Sequence, residues 1–428
     1  MRKVISFVTF SILLNISCGD SNLMIEIPSP NPVGYISDSL NLTKEKYYDK
    51  VLGALVGSAI GDAMGASTEM WHRKDIQLKY GYITSLTAAV RDQSPEGTWE
   101  HNLLAGATTD DTRWKFLMVK YIEKHRRDLS PTNFANFITD YYETLARTLS
   151  DKNILSSTDM LDEKIEKIDW IKEWARVAMA YKKDLYTFQK AQNRFYGGEM
   201  SCAGQLYTPI FGLMASNPET AYNIAYEHSI FDLGYAKDIS SLVAAMTNTA
   251  LRTKDIDSIL NTATFVDPFG YQNSRLVGRI SYSVADAAIK NVLAVKELIL
   301  SDTLLTIDSI RYKIPKGFNG SQKDWIRQEM VYGILEKDEK AIAFHSSEIW
   351  QILVTGLKFG EGDFERTMQF IVNYGRDNDT VAAVAGMILG AKDGYSQLPK
   401  ELKEKVVKVN KEVLGIDLER LAIELVGN

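Results

Sequence analysis

Cysteine is nearly missing from this chain: its 428 residues include only Cys18 and Cys202. If Cys18 is lost or modified during processing, no internal disulfide can form, and stability must come from packing. Proline is sparse too, at ten residues, and Pro28, Pro30 and Pro32 crowd into one short stretch. There is no basic excess. With 49 Lys and Arg against 55 Asp and Glu, the net charge is −6, so the electrostatic footprint of a nucleic-acid binder is absent. Strand-like alternation is scarce, and neither an internal repeat nor a low-complexity tract is present. These absences argue against sheet folds, repeat arrays and disulfide scaffolds.

What remains is ordinary globular composition, 45% hydrophobic and 24% charged, long enough to bury a large core. The front end stands apart. Arg2 and Lys3 precede a mostly apolar Val4–Ile16 run of signal-peptide length, too short to span a bilayer well. The run leads into Ser17-Cys18-Gly19-Asp20, which resembles a bacterial lipoprotein cleavage site with Cys18 as the acylated residue. Asn15 departs from that pattern, and a standard secretory signal with an incidental cysteine is the competing reading. Residues 1–18 are thus expected to be a leader and 19–42 a tether, leaving 43–428 as the folded domain. The protein is expected to be an exported envelope lipoprotein, touching the membrane only through Cys18, and a monomer.

From Lys44 the periodicity is helical. Gly53, Gly57, Gly61 and Gly65 recur every four residues, which on a helix makes one bare stripe for close backbone packing. Each costs about 1 kcal/mol of helix propensity relative to alanine, so four in register point to a packing demand. Asp62 and the short apolar run argue against a membrane helix, and a buried central helix ending near residues 65–69 is expected. Further helices are expected at 115–126, 133–148, 169–190, 219–227, 236–252, 282–300, 322–336, 338–358, 363–374, 380–391 and 399–425. The fold class is therefore all-α, one compact multi-helix domain of about a dozen helices.

Two stretches carry the chemistry. Thr109-Asp110-Asp111-Thr112 opens one apolar helical run, and Asp377-Asn378-Asp379-Thr380 opens another far downstream. Hydroxyl and carboxylate groups suit helix N-termini, so each alone reads as a capped helix start. Together, brought face to face, they supply hard oxygen ligands suited to Mg²⁺, Ca²⁺ or Mn²⁺ rather than Zn²⁺, enough for two ions.

With Gly61-Asp62-Ala63-Met64-Gly65-Ala66-Ser67-Thr68-Glu69 ahead of them, these stretches resemble the ADP-ribosylglycohydrolase family. That family includes the dinitrogenase-reductase-activating glycohydrolases and the hydrolases of ADP-ribosyl-arginine and ADP-ribosyl-serine. The pieces fall in family order across nearly the whole folded part. The resemblance implies an all-α fold with two Mg²⁺ ions held by Thr109, Asp110, Asp111, Asp377, Asp379 and Thr380. It implies that Glu69 acts near the metals in catalysis or closure, with Asp110 and Asp379 contributing to the chemistry. The expected reaction is metal-assisted hydrolysis of a glycosidic bond to a ribosyl group, with an ADP-ribosyl conjugate as the default substrate. A nucleoside or other ribosyl derivative is the variant within that class. A non-catalytic protein on the same fold, like the related jellyfish crystallins, is the rival from outside it.

The substrate half departs from the family. The stretch Ser201-Cys202-Ala203-Gly204-Gln205-Leu206-Tyr207-Thr208-Pro209 has Tyr207 where the family has arginine. Arg376 and Asn378 replace the commoner Gly and Thr, and 253–340 is expected to hold an insertion. Trp99, Gly204 and His228 are the substrate-side candidates. Trp99 could stack on a base, and His228 could serve the cleft or simply the core. Cys202 reads as a small buried hydrophobe, with no His placed to activate it. Asp62 reads as a cap or brace.

Overall fold

Four glycines in register explain how the molecule is assembled. In a computed structural model of the chain, they lie on helix α1 (Lys44–Gly65), whose residues from Lys50 to Gly65 are all buried. The structure describes residues 40–89, 103–126, 128–148, 158–299 and 313–427, with backbone alone for 158–167. The leader, Cys18, most of the expected tether and Trp99 lie outside the described residues. Leu40 is already buried against the core and Thr43 caps α1.

In chain order, α1 is followed by α2 (Arg73–Tyr80), α3 (Asp110–His125), α4 (Pro131–Thr148), α5 (Thr158–Tyr181), α6 (Leu185–Tyr196), α7 (Pro209–Met214), α8 (Pro218–His228) and α9 (Ala236–Arg252). The remainder comprises α10 (Ile256–Phe265), α11 (Ile280–Glu297), α12 (Gln322–Leu335), α13 (Ser346–Phe359), α14 (Phe364–Tyr374), α15 (Asn378–Asp393), α16 (Lys400–Val409) and α17 (Leu418–Val426). Among the described residues the only sheet is a two-residue ladder, β1 (Trp71–His72) against β2 (Gly375–Arg376), antiparallel. The all-α expectation holds.

Helices α1 and α15 form the axis and run antiparallel. A Cβ at Gly57 would fall on the carbonyl of Gly386, one at Gly61 on the carbonyl of Ala382, and one at Gly65 on the Cα of Asp379. The relation is reciprocal, because a Cβ at Gly386 or Gly390 would fall on the carbonyl of Gly57 or Gly53. Only paired bare stripes allow two backbones to approach this closely. The consequence reaches the site: the C-terminal end of α1 is pressed against the N-terminal end of α15.

Several boundaries differ from the sequence expectation, each for a local reason. The run expected at 169–190 is two helices, because Asp184 caps α6 by accepting from the Thr187 amide. The run at 399–425 breaks at Gly415, which has φ 70°, and restarts at the Asp417 cap. The run at 338–358 begins only at Ser346, capped by His345. Helices α2, α7 and α10 were not expected; each is ten residues or shorter and offers little periodicity to read.

Candidate metal centre

The site is built at the junction of three chain segments. Thr109 precedes α3 in extended conformation, and its hydroxyl accepts from the Asp111 amide. The backbone donors of this first turn turn towards α1. Asp62 accepts from the Thr109 amide at 2.9 Å, the Thr112 amide at 3.0 Å and the Thr112 hydroxyl at 2.6 Å. Asp62 is therefore the brace that fixes the Thr-Asp-Asp-Thr turn on the central helix, satisfying donors that a helix start leaves unpaired.

The Glu69 segment is held just as firmly. Met70 donates its amide to the Arg376 carbonyl at 2.7 Å, and the β1–β2 ladder pairs Trp71 with Arg376 and His72 with Gly375. Asn378 donates its side-chain amide to the Thr68 hydroxyl at 2.9 Å and to the Val372 carbonyl at 2.8 Å. Arg376 occupies left-handed backbone space at φ 62°, a conformation strained for a residue with a Cβ. Its guanidinium forks onto buried Glu348, at 2.6 Å and 3.0 Å, which holds it there.

These restraints bring Glu69, Asp377 and Asp379 together, each buried, with one carboxylate oxygen apiece within 4.8 Å of one another. The first motif joins from the side. Thr109 donates its hydroxyl to Asp379 Oδ2 at 3.4 Å, and Thr380 donates its hydroxyl to Asp111 Oδ2 at 3.0 Å. Asp110 keeps partial exposure as a residue, although its carboxyl is enclosed by protein. Glu69, which the sequence reading kept outside the ligand set, lies in the trio best placed to bind an ion.

Electrostatics mark the cluster as short of positive charge. Burial and the neighbouring Glu69 push the Asp377 and Asp379 carboxyls well above the usual carboxylate range. Burial, followed by the charge of Asp111, lifts Asp62 and Asp110 to about 7. Asp379 Oδ1 is buried and has no hydrogen-bond partner among the described residues. An unpartnered oxygen amid hard, mutually repelling donors is what a divalent cation would satisfy. The residues present fit such an ion.

The substrate-side candidates fare differently. His228 is fully buried. Its Nδ1 bonds the Ile224 carbonyl, its Nε2 pairs with the Tyr121 hydroxyl, and it packs among Tyr121, Phe134 and Phe211. Both ring nitrogens are used and burial lowers its pKa to about 4, so His228 is a neutral core residue rather than a cleft ligand. Gly204 donates its amide to Asp232 at 2.7 Å, and a Cβ there would fall on the Asp232 carboxylate and Ser240. Its glycine is a packing requirement. Tyr207, at the family's arginine position, is buried against Trp114 and donates its hydroxyl to the His228 carbonyl. Cys202 does reach the centre, with its sulfur 3.7 Å from Asp377 Oδ2.

Two contributors escaped sequence reasoning. Asn410 donates to the Gly106 carbonyl and accepts from the Thr108 hydroxyl, anchoring the approach to Thr109 from the far end of the chain. Nothing in its local sequence signals that contact. Lys115 lies 3.0 Å from Asp111 Oδ1, both side chains 2% exposed. A lysine four residues after Asp111, on the face that Met118 and Ile122 carry into the core, was the available signal.

Comparison with known proteins agrees with this architecture. Residues 43–428 match the sequence model of the ADP-ribosylglycohydrolase family. The chain is similar to the "Uncharacterized protein YegU" of Escherichia coli (strain K12), at 21% identity over 385 residues, covering 88% of this chain and 96% of that protein. A solved structure described as "ADP-ribosylglycohydrolase-related protein complex" superposes with a TM-score of 0.52 at 16% identity, covering 89% of this chain and 98% of the other. At that identity the likeness speaks for the fold alone.

Proposed function

The chain belongs to the ADP-ribosylglycohydrolase family, and from that premise we propose that it is a divalent-metal-dependent hydrolase of a glycosidic bond to a ribosyl group. An ADP-ribosyl conjugate is the default substrate. One observation carries the reading: Glu69, Asp377 and Asp379 converge in a buried cluster, and Asp379 Oδ1 lacks any partner among the described residues. Clustering acids without a cation is costly, so an inert protein on this fold has little reason to keep the arrangement.

Glu69, Asp377 and Asp379 would hold one Mg²⁺ or Mn²⁺, and Thr109, Asp110, Asp111 and Thr380 are the donors available to a second. Bound there, a divalent cation supplies Lewis acidity at ribose hydroxyls and an activated water. The chain's own residues do the rest. The carboxylates stabilise the oxocarbenium character that develops as the bond breaks. Asp110, at the first position of α3, and Glu69 are the groups assigned to exchange a proton with substrate or water. Asp62 keeps Thr109 and Asp110 in position without touching substrate.

The leader supports placing the protein in the bacterial envelope, anchored through Cys18. An exported protein meets extracytoplasmic ribosyl compounds, which keeps nucleosides and other ribosyl derivatives in the substrate class. The deciding experiment incubates the purified protein with Mg²⁺ and a panel of ADP-ribosyl, nucleoside and ribosyl compounds. Release of free ribose or ADP-ribose from one of them is expected. A protein that binds the metal yet turns over none would instead be a crystallin-like, non-catalytic member.

A further inference from the structure

Away from the acid centre, the turn between α13 and α14 borders a second polar site. A cavity of about 240 Å³ is lined there by Lys296, Asp324, Arg327, Phe359, Glu361 and Arg366. Lys296 comes from α11 and Arg327 from α12, whereas Phe359 ends α13 and Arg366 lies in the first turn of α14. Buried Phe359 seats two of the cations: Lys296 Nζ lies 5.6 Å and Arg366 Cζ 5.4 Å from its ring centroid. Helix α14 leads from this cavity towards Asp377, rising about 12 Å between Arg366 and Tyr374 at about 1.5 Å per residue. The cavity is therefore separate from the acid centre.

Its charges do not balance. Three cations line it against two carboxylates, and both carboxylates are already engaged. Asp324 caps α12, its Oδ2 accepting from the Ser321 amide at 3.0 Å and from the Ser321 hydroxyl at 2.6 Å. Glu361 accepts from Lys296 at 2.6 Å and from Arg366 at 3.4 Å. It does so from left-handed backbone at φ 57°, a conformation unfavourable for a residue with a Cβ. Arg327 has no carboxylate to itself. Its one bond among the described residues is long, from Nη2 to the Leu298 carbonyl at 3.4 Å, and its Nε is buried with no partner. Burial, with lesser help from Arg366 and Lys358, holds the Lys296 ammonium below the usual lysine range although Glu361 lies beside it.

Two guanidiniums lining one cavity, one of them without an acid partner, suit an oxyanion, because the planar fork matches two of its oxygens. At about 30 Å³ per water, the space takes a small ion with several waters. It is smaller than the about 300–1,000 Å³ typical of pockets for drug-sized ligands. We propose that this cavity binds a tetrahedral oxyanion of the phosphate class, with Arg327 and Arg366 as its principal ligands and Lys296 as supporting charge. The anion ties α11 and α12 to the α13–α14 turn, and Glu361 competes with it for Lys296 and Arg366.

Calorimetric titration of the EDTA-treated full chain tests this. Inorganic phosphate is one arm, glycerol phosphate another, and sodium chloride at matched ionic strength is the control. Without metal the acid centre repels anions, so the heat reports the cavity. Wild type should bind phosphate saturably where chloride does not bind. Arg327→Met should weaken that binding by about tenfold or more, since it removes the open fork. Glu361→Gln should strengthen it by about threefold or more, because the competing carboxylate is gone. Glycerol phosphate binding as tightly as phosphate would assign the site to a phosphomonoester, and binding of phosphate alone would assign it to the free ion. Phosphate that does not saturate the wild type overturns the proposal, as does an affinity that Arg327→Met leaves unchanged. If Arg327→Met does not fold, Glu361→Gln still decides: phosphate binding that stays the same or weakens there sinks the idea.

Discussion

The hydroxyl of Thr380 donates to Oδ2 of Asp111 at 3.0 Å, across 269 positions of chain. With the Thr109–Asp379 bond, it joins the first acidic motif to the last. It exists because α15 starts where α1 ends, so the glycine packing of two helices and the chemistry of the centre are one construction. Changes far from the acids should therefore reach them.

Gly57 tests that link. Its Cβ position coincides with the Gly386 carbonyl, a backbone atom with no rotamer to escape through. Gly57→Leu should lower stability by at least the about 1–3 kcal/mol typical of overpacking, read from urea denaturation. It should also weaken Mg²⁺ binding by moving Glu69 away from Asp379. An unchanged midpoint would mean that the stripe is not a close contact.

Glu69→Gln should reduce both metal affinity and turnover. Because Glu69 is one of three carboxylates within 4.8 Å, a loss of at least tenfold in Mg²⁺ affinity is expected by calorimetry, about 1.4 kcal/mol. Turnover falling while affinity stays at the wild-type value would return Glu69 to a purely catalytic role.

Acidity should act in a defined direction. Asp62 and Asp110 are lifted to about 7 by burial and Asp111. Between their unfolded value near about 4 and that value, the metal-free fold holds more protons than the unfolded chain. Its stability from these groups is thus fully present below the window and lost as pH rises through it. His228, lowered to about 4 by burial, works the opposite way, costing stability as pH falls below its unfolded value of about 6.5. Its contribution is common to the metal-free and metal-loaded forms. The Mg²⁺-induced rise in Tm should therefore widen from pH 5.5 to 7.5, as protons cease to compete with the ion. A rise that shrinks over that range would contradict the assignment of Asp110 to the centre.

Much of this was legible in the sequence, for physical reasons. The glycine spacing announced a buried helix because only close backbone packing offsets four such residues. The two Asp-rich helix starts announced hard-ligand chemistry. Asp62 was readable as a brace because a carboxylate within a small-residue helix must find donors. Other features were not legible. His228 and Tyr207 sit at positions where the family suggests substrate contact, yet aromatic packing claims both, and packing partners scattered through the chain leave no local pattern. Asn410 reaches Gly106 across 304 positions. Helix breaks at Asp184 and Gly415 were visible only as single residues inside otherwise continuous periodicity.

The leader makes its own prediction. Wild-type protein should fractionate with membranes and Cys18→Ser should not. A wild type found wholly in the soluble cytoplasmic fraction would end the envelope proposal while leaving the chemistry of the folded domain untouched.

The most direct test of the central claim is the thermal stability of Asp379→Asn with and without Mg²⁺. Wild type should gain about 2.7 kcal/mol when free Mg²⁺ is a hundred times its dissociation constant. Asp379 stands among Glu69, Asp377 and Asp111, whose charges oppose its own. The metal-free variant should therefore be at least as stable as the metal-free wild type, while losing most of the Mg²⁺ response and nearly all activity. A variant that is less stable without metal, yet keeps the full Mg²⁺ response, would show Asp379 to be only a residue of the helix start and would contradict the metal centre.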